Sequence, residues 1–422
     1  MKTSSKTLNN EKGATIVFVA IILGVLMMFA ALTIDVGHLY GVRNELQDAA
    51  DAGALAGASV LFDSDSTLNR DAALAEGHRI ALANKTGNQF VVEKTVETGH
   101  WSFSSKTFTA NDTTEQAPWH GRSMAQLDID NNFINAVRVQ TDRSNAPSFF
   151  ARIFGYDEFL VSTDAVAYIG FAGTINPEEI DRPIAICRDA IVKNDALDFK
   201  DAELDCNMGR MLNSGGNANT SMTAMWTNYT QDPCSTASSS SMNALTEDCS
   251  TGNPTTLNYG EGIGSQNGVQ DNILDNIVDC WIAAADSDND DIPDTLWPLL
   301  LPVVECGVSN TCAPLVGAVQ IDVVWIIHQN DPQMNDVPLK MDDWECSTTP
   351  ATQDERFTCW KEFVDHFDLQ NVTGAPATDA DYEEMYQKKN LFFLPSCDLH
   401  EPTGHTGGEN FGVLAEIPVL VE

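Results

Sequence analysis

The first 186 residues of this 422-residue chain contain no cysteine, and the whole sequence contains no C-x-x-C pair. Cysteines at that spacing are common ligands of structural zinc and of iron–sulfur clusters, so their absence argues against both kinds of site. An even number of cysteines confined to one part of a chain is typical of disulfide bonds formed in an oxidising compartment. We therefore predict that all ten cysteines form disulfides: Cys187, Cys206, Cys234, Cys249, Cys280, Cys306, Cys312, Cys346, Cys359 and Cys397.

Basic residues are also scarce, with 23 Lys and Arg against 61 Asp and Glu and a formal net charge of −38. The imbalance is concentrated after residue 175, where 42 acidic residues stand against 10 basic ones, giving −32. Such a surface repels phosphate groups, which argues against nucleic acid or anionic lipid headgroups as partners of this part. A solvated acidic surface is enough to explain most of the charge.

Recognisable catalytic motifs are missing as well. No G-x-S-x-G, H-E-x-x-H, Walker or G-x-G-x-x-G stretch occurs in a suitable strand-to-helix setting. The eight histidines are scattered, and only the segment with Cys397, His400 and His405 groups residues that could bind a metal. A disulfide cysteine beside loop histidines is the commoner arrangement in exported proteins. We therefore predict that the chain is not an enzyme and has no catalytic residue.

What the sequence does have is one long uncharged apolar run near its start, from Gly13 to Ile34. About 20 helical residues cross the hydrocarbon core of a bilayer, so residues 14–34 are predicted to span a membrane. The lysines that precede the run place residues 1–13 in the cytoplasm and export everything after Ile34. A cleavable signal peptide is the alternative, but its apolar region is usually shorter, about 7–15 residues.

The helical pattern does not stop at the first charge, Asp35. Apolar residues continue at steps of three and four through Val36, Leu39, Val42 and Leu46, which predicts one unbroken helix from about Ala14 to Leu61. Small residues then dominate residues 49–58, the Ala/Gly segment, and small residues let another backbone approach closely. The second half of the helix is therefore predicted to pack on protein, although an ordinary anchor helix capped by its own domain fits the same pattern.

The stretch GATIVFVAIILGVLMMFAALTIDVGHLYGVRNELQDAADAGALAGA, residues 13–58, resembles the N-terminal segment of TadE/TadG-like Flp (Tad) pilus-assembly proteins. The order of the anchor, IDVGHLY and LQDAADAGALAGA is the specific part of this resemblance. It implies a bacterial inner-membrane protein with its bulk in the periplasm or at the cell surface. Its implied partners are the membrane, other proteins of the pilus system and further copies that associate through the N-terminal helix.

The fold class predicted for the whole chain is α+β. Residues 35–172 form a pilin-like α+β domain, with a second helix over residues 66–84 and a small antiparallel sheet. Gly173 and Pro177 mark a boundary, after which residues 173–422 form an acidic, disulfide-stapled mixed α/β domain that ends in strands near residues 390–397 and 411–422. Spacing does not fix cysteine connectivity, but short loops favour the pairs Cys306–Cys312, Cys346–Cys359 and Cys234–Cys249.

Oxygen-bearing residues alternate in DSDNDDIPD, residues 286–294. Calcium prefers six to eight oxygen ligands, and loops that hold it use alternate positions in this way. The stretch resembles the D-x-D-x-D-G-x-x-D loops of extracellular bacterial proteins, but Asp291 stands where glycine normally eases the turn. A solvated acidic loop is the alternative. The predicted ligands of a structural calcium ion are Asp286, Asp288, Asp290, the backbone carbonyl of Ile292, and Asp294.

These features together favour a structural role. We predict a membrane-anchored TadG-like component, or minor pilin-like subunit, of a Tad/Flp-type pilus. The alternative is a membrane-tethered, calcium-dependent surface adhesin or carbohydrate-binding module that merely uses the same kind of anchor. An exported hydrolase is the third interpretation, and the missing motifs disfavour it.

Overall fold

A computed structural model of the protein describes residues 12–63, 66–86, 89–90, 92–193, 203–210, 223–236, 238–266, 271–306, 312–329, 331–371 and 374–421. The α-helices of these residues are α1 Lys12–Ala58, α2 Arg70–Ala83, α3 Met124–Leu127, α4 Arg188–Ile191, α5 Ser239–Thr246, α6 Asp271–Ala285, α7 Gln353–His366 and α8 Asp379–Met385, and a 3-10 helix covers Ala151–Phe154. The strands are β1 Lys85–Thr86, β2 Gln89–Phe90, β3 Val92–Ser102, β4 Thr107–Ala110, β5 Ala136–Pro147, β6 Glu158–Tyr168, β7 Thr174–Ile175, β8 Ile184–Cys187, β9 Met208–Arg210, β10 Ala224–Thr227, β11 Leu257–Asn258, β12 Gly262–Gln266, β13 Trp297–Val304, β14 Cys312–Ile327, β15 Lys340–Met341, β16 Trp344–Glu345, β17 Asn390–Phe393, β18 Asp398–Leu399 and β19 Val419–Leu420.

Helix α1 is one continuous helix of 47 residues. At 1.5 Å per residue it is about 70 Å long. The long helix expected from the sequence is confirmed, although it begins at Lys12 and ends at Ala58. Helix α2 follows after a short connection, and the Asn69 side chain caps it by accepting a hydrogen bond from the Ala72 N–H.

The second half of α1 lies with α2 on one face of an antiparallel five-stranded sheet, whose order is β19-β6-β5-β3-β4. Buried and less buried residues alternate along much of β5, as expected for a strand with one face on a core. The core between the helices and the sheet consists mainly of small and β-branched side chains: Ala50, Ala54, Ala58, Ala73, Ala81, Val137, Val139, Ala165 and Ala167. This unit is the α+β fold that the sequence predicts.

Strand β19 comes from the other end of the chain. Val419 pairs with Tyr168 and Leu420 with Ala167, so the C-terminal residues complete the sheet of the N-terminal unit. The strand near residues 411–422 is predicted to belong to the second domain, and the pairing of Val419 and Leu420 with β6 corrects this. Alternating apolar residues predict that these residues form a strand. Which strand they pair with depends on the path of the chain through the whole fold, and the local sequence does not show that path. The division of the chain near residue 173 stays a prediction.

Residues beyond 173 form a second sheet of eight strands, in the order β12-β10-β8-β13-β14-β17-β9 with β18 beside β14. Strand β14 has 16 residues and also pairs with β12. The strands β12, β10, β8, β13 and β14 therefore form a closed circuit of hydrogen-bonded neighbours. Large aromatic side chains fill the core around this sheet and α6 and α7, among them Trp226, Trp281, Trp325, Trp360 and Phe363.

All ten cysteines are paired, as predicted, and the pairs are Cys187–Cys306, Cys206–Cys397, Cys234–Cys312, Cys249–Cys280 and Cys346–Cys359. Of the three short-loop pairings, Cys346–Cys359 is confirmed, whereas Cys306–Cys312 and Cys234–Cys249 are wrong. Strand register explains the difference: Val304 pairs with Cys187, which brings Cys306 beside it. Likewise Gly264 of β12 pairs with Cys312 of β14. Strand β12 also pairs with β10, and Cys234 lies shortly after β10, so Cys312 and Cys234 come together.

Candidate functional site

The large apolar side chains in the N-terminal half of α1 are not covered by the described residues of the chain. Its large apolar side chains are exposed all round the helix: Ile16, Val17, Phe18, Val19, Ile21, Ile22, Leu23, Val25, Leu26, Met27, Met28, Phe29, Leu32 and Ile34. An apolar surface of this extent marks a site of association. The helix is long and apolar enough to cross a membrane.

Asp35, the first charged residue after this run, is buried and acts as a cap for a distant segment. Its carboxylate accepts hydrogen bonds from the backbone N–H groups of Phe149 at 2.7 Å, Phe150 at 3.0 Å and Ala151 at 2.6 Å. These donors precede and begin the 3-10 helix, where N–H groups otherwise lack acceptors. Burial acts to raise the pKa of Asp35, but the three backbone hydrogen bonds and nearby His38 outweigh it and lower that pKa. We call this arrangement the Asp35 cap.

The Ala/Gly segment of α1 packs inside its own domain. A Cβ atom on Gly57 would lie 2.9 Å from the Ala73 carbonyl oxygen and 2.9 Å from Val137 Cγ1. One on Gly53 would lie 3.0 Å from the Gly77 carbonyl oxygen. The glycines therefore let α1, α2 and the sheet approach to backbone contact. The prediction that this half packs on protein holds, and the protein is the same chain. The face of this segment that carries Gly53 and Gly57 is therefore not available for self-association, whereas Asp51, Ala52, Leu55 and Ala56 on its other face are partly exposed.

The predicted calcium loop follows α6, and the structure brings three of its five residues together. The carboxylate oxygens of Asp286, Asp288 and Asp290 lie within 4.8 Å of one another. Asp291 takes the left-handed conformation, with φ of 65°, where the related loops have glycine. Loss of hydration, followed by repulsion from Asp290 and Asp294, raises the pKa of the Asp288 carboxyl. Carboxylate oxygens are the ligands that calcium prefers, so the arrangement of these three agrees with the predicted site.

The Asp294 side chain lies outside this group of three carboxylates. The Asp294 carboxylate accepts hydrogen bonds from the backbone N–H and the hydroxyl of Ser287, both at 2.8 Å, and lies 3.7 Å from Lys340 Nζ. It therefore closes the loop from within. The Ile292 side chain is exposed, and the backbone carbonyl of Ile292 stays a predicted ligand. Asp286 also accepts N–H groups from Asn289 and Asp291. The calcium assignment stays a prediction, carried by the first three aspartates.

The other group of metal-ligand residue types does not form a site. Cys397 is bonded to Cys206. His400 Nε2 lies 2.7 Å from Glu179 Oε1, and the backbone N–H of His405 donates to Thr174 Oγ1 at 2.7 Å. These contacts fasten the segment after β18 to the residues that follow β6. The metal interpretation of this segment is not supported.

Comparison with protein families gives two matches, both in the N-terminal part of the chain. Residues 13–60 match a family described as putative Flp pilus-assembly TadE/G-like. Residues 56–167 match a family described as putative Tad-like Flp pilus-assembly. Together they cover α1, α2 and the sheet up to the end of β6, and they confirm the resemblance stated from the sequence. Comparison with curated proteins and with solved structures gives no match.

Proposed function

We propose that this chain, whose residues 13–167 are similar to TadE/G-like Flp pilus-assembly proteins, is a membrane-anchored TadG-like component or minor pilin-like subunit of a bacterial Tad/Flp-type pilus. One observation carries the proposal. Helix α1 is continuous through an exposed apolar half and a half that packs into an α+β domain. A helix of this design holds a folded domain at a fixed place beside a membrane, or beside other apolar helices in a fibre.

The proposed location is the inner membrane, with residues 1–13 in the cytoplasm. Three lysines precede the apolar run, against one glutamate, and positive charge is retained on the cytoplasmic side. The domain beyond Asp35 would then lie in the periplasm or at the cell surface. Five disulfides and a strongly acidic surface suit that compartment.

The proposed role is structural rather than catalytic, since both matched families are described by pilus assembly. The calcium-dependent adhesin is not favoured by either match. Calcium itself has a narrower proposed role, which is to bind the three convergent aspartates and hold the end of α6 against the residues before β13. Such an ion would stabilise the loop and would take no part in a reaction.

Fractionation and shearing of cells that carry a C-terminal epitope tag test the proposal. We expect to find the protein in the membrane fraction. Protease added to spheroplasts should digest its C-terminal domain, and deletion of the gene should abolish piliation. Leu26→Arg places a charge in the apolar run and should abolish anchoring, whereas Asn44→Arg, on the exposed face beyond it, serves as the matched control. Normal piliation without the protein, together with a soluble cytoplasmic location, would refute it.

A further inference from the structure

The connection between β5 and β6 is unusually apolar for an exposed segment. Outside α1, half of the large apolar side chains that are exposed in the described residues lie in this connection or at the start of β6. We call residues 149–160 the apolar loop, and these side chains are Phe149, Phe150, Ile153, Phe154, Tyr156 and Leu160. Ile153 is 76% exposed and Phe154 is 70% exposed. Six exposed large apolar side chains within twelve residues indicate a site of association.

The apolar loop has a fixed position relative to α1. The Asp35 cap binds its first three backbone N–H groups to the residue that directly follows Ile34. The His38 ring packs edge-on against Phe149, with 5.0 Å between ring centroids. One turn further along α1, Val42 and Leu46 pack on Ala146 at the end of β5. The loop is therefore held at the level where the apolar run ends.

The surface of the loop continues the exposed apolar surface of α1. The loop is held beside Asp35, which directly follows the apolar run. Val36 and Tyr40, just past Asp35, are 56% and 66% exposed, so exposed apolar side chains of α1 continue to the level of the loop. The loop has one exposed basic residue, Arg152, among its aromatic rings, and two exposed acidic residues, Asp157 and Glu158, toward its end. Aromatic rings with a nearby basic residue are the composition that membrane–water interfaces favour. The position of the loop therefore favours lipid as the partner of its apolar side chains, because a bilayer around residues 14–34 reaches the level of the loop.

We infer that the apolar loop is a second membrane contact, which inserts into the headgroup region of the leaflet where α1 leaves the bilayer. The inference rests on the proposed anchoring of α1. Helix α1 and its domain form one body that a single span leaves free to tilt and rotate in the bilayer, whereas a second contact restricts both motions. The Asp35 cap joins the two contacts, so the sheet is held at a defined angle to the membrane.

Quenching of tryptophan emission by brominated acyl chains tests this in the full chain. The protein is reconstituted at one copy per nanodisc in phosphatidylcholine, with and without bromine on the acyl chains, and the parent's emission is subtracted. Phe154→Trp and Ile153→Trp report on the loop. Leu26→Trp reports on the apolar run. Phe103→Trp is the matched control, because Phe103 is an exposed phenylalanine at the opposite end of the sheet, about 35 Å away along β5.

We expect the added emission of both loop reporters to fall by about half in brominated discs, since interfacial side chains reach 5–10 Å into the lipid boundary. Leu26→Trp should be quenched as well, and Phe103→Trp should not. Quenching of Leu26→Trp without quenching of either loop reporter overturns the inference and leaves the anchoring intact. An unquenched Leu26→Trp refutes the anchoring itself. If the loop reporters are shielded from water only in discs that hold two or more copies, the inference is overturned and the loop is a contact between subunits.

Discussion

Oδ2 of Asp35 accepts a 2.6 Å hydrogen bond from the backbone N–H of Ala151, 116 residues further along the chain. The bond joins the point where the apolar half of α1 ends to the connection between β5 and β6. A carboxylate is suited to this position because its two oxygens together accept three backbone N–H groups. The chain thereby couples its predicted anchor to the folded domain by more than the continuity of one helix.

Replacement of Asp35 tests that coupling. Asp35→Asn leaves one acceptor oxygen and turns an NH2 group toward backbone donors, so we expect the apolar loop to loosen. Amide hydrogen exchange at Phe149–Ala151 should be about tenfold faster, since local opening no longer breaks three charge-assisted bonds. Asp48→Asn, at an exposed position of α1, is the control. Equal protection in the two variants would mean that the cap does not hold the loop.

The close packing of α1 on α2 predicts opposite effects at two glycines of the same helix. Gly57→Ala would push a methyl group against the Ala73 carbonyl and Val137, and we expect it to lower the free energy of unfolding by about 1–3 kcal/mol. Gly41→Ala meets nothing within 4 Å and should instead raise it by up to about 1 kcal/mol through helix propensity. Urea unfolding of the full chain in detergent, followed by amide exchange in α2, measures both. A Gly57→Ala variant as stable as Gly41→Ala would contradict the packing.

Mass spectrometry of peptides from the unreduced protein should recover the five pairs, including the Cys206–Cys397 bond that closes a span of 191 residues. Loss of that bond in the Cys206→Ser, Cys397→Ser double variant should cost about 5 kcal/mol, against about 3 kcal/mol for the Cys346–Cys359 bond over 13 residues. The difference arises because a longer loop loses more entropy in the unfolded chain when it is closed. Free thiols, or a Cys234–Cys249 peptide, would contradict the fold.

Calcium binding at the loop of residues 286–294 is measurable by thermal unfolding. We expect millimolar calcium to raise the unfolding temperature of the full chain. At a hundredfold excess of calcium over its Kd, the free energy of unfolding should increase by about 2.7 kcal/mol. Asp288→Ala should abolish the shift. Asp279→Ala removes an exposed carboxylate from neighbouring α6 and should retain it. If calcium has no effect on the parent, or the same effect on both variants, the aspartates are a solvated loop.

Local patterns in the sequence determined α1, the oxidised cysteines and the resemblance to Flp pilus-assembly proteins. Helix α1 can be predicted because both of its signals, the apolar run and the three- to four-residue spacing of apolar residues, extend over only a few helical turns of sequence. The oxidised state of the cysteines follows from their number and segregation, without knowledge of any partner. The second helix and the first sheet were also foreseen in outline, since their periodicity is local.

Tertiary structure decided which residues meet. The sequence places Asp35 at the end of an apolar run, but only the fold supplies three N–H groups from residues 149–151 as its partners. Strand register brings Cys306 to Cys187 in preference to nearby Cys312, and chain return places Val419 beside Tyr168 in the first sheet. Asp294 likewise has the spacing of a calcium ligand, and only the fold shows that its carboxylate accepts two hydrogen bonds from Ser287. Contacts between distant residues depend on the packing of whole elements, which no local period encodes.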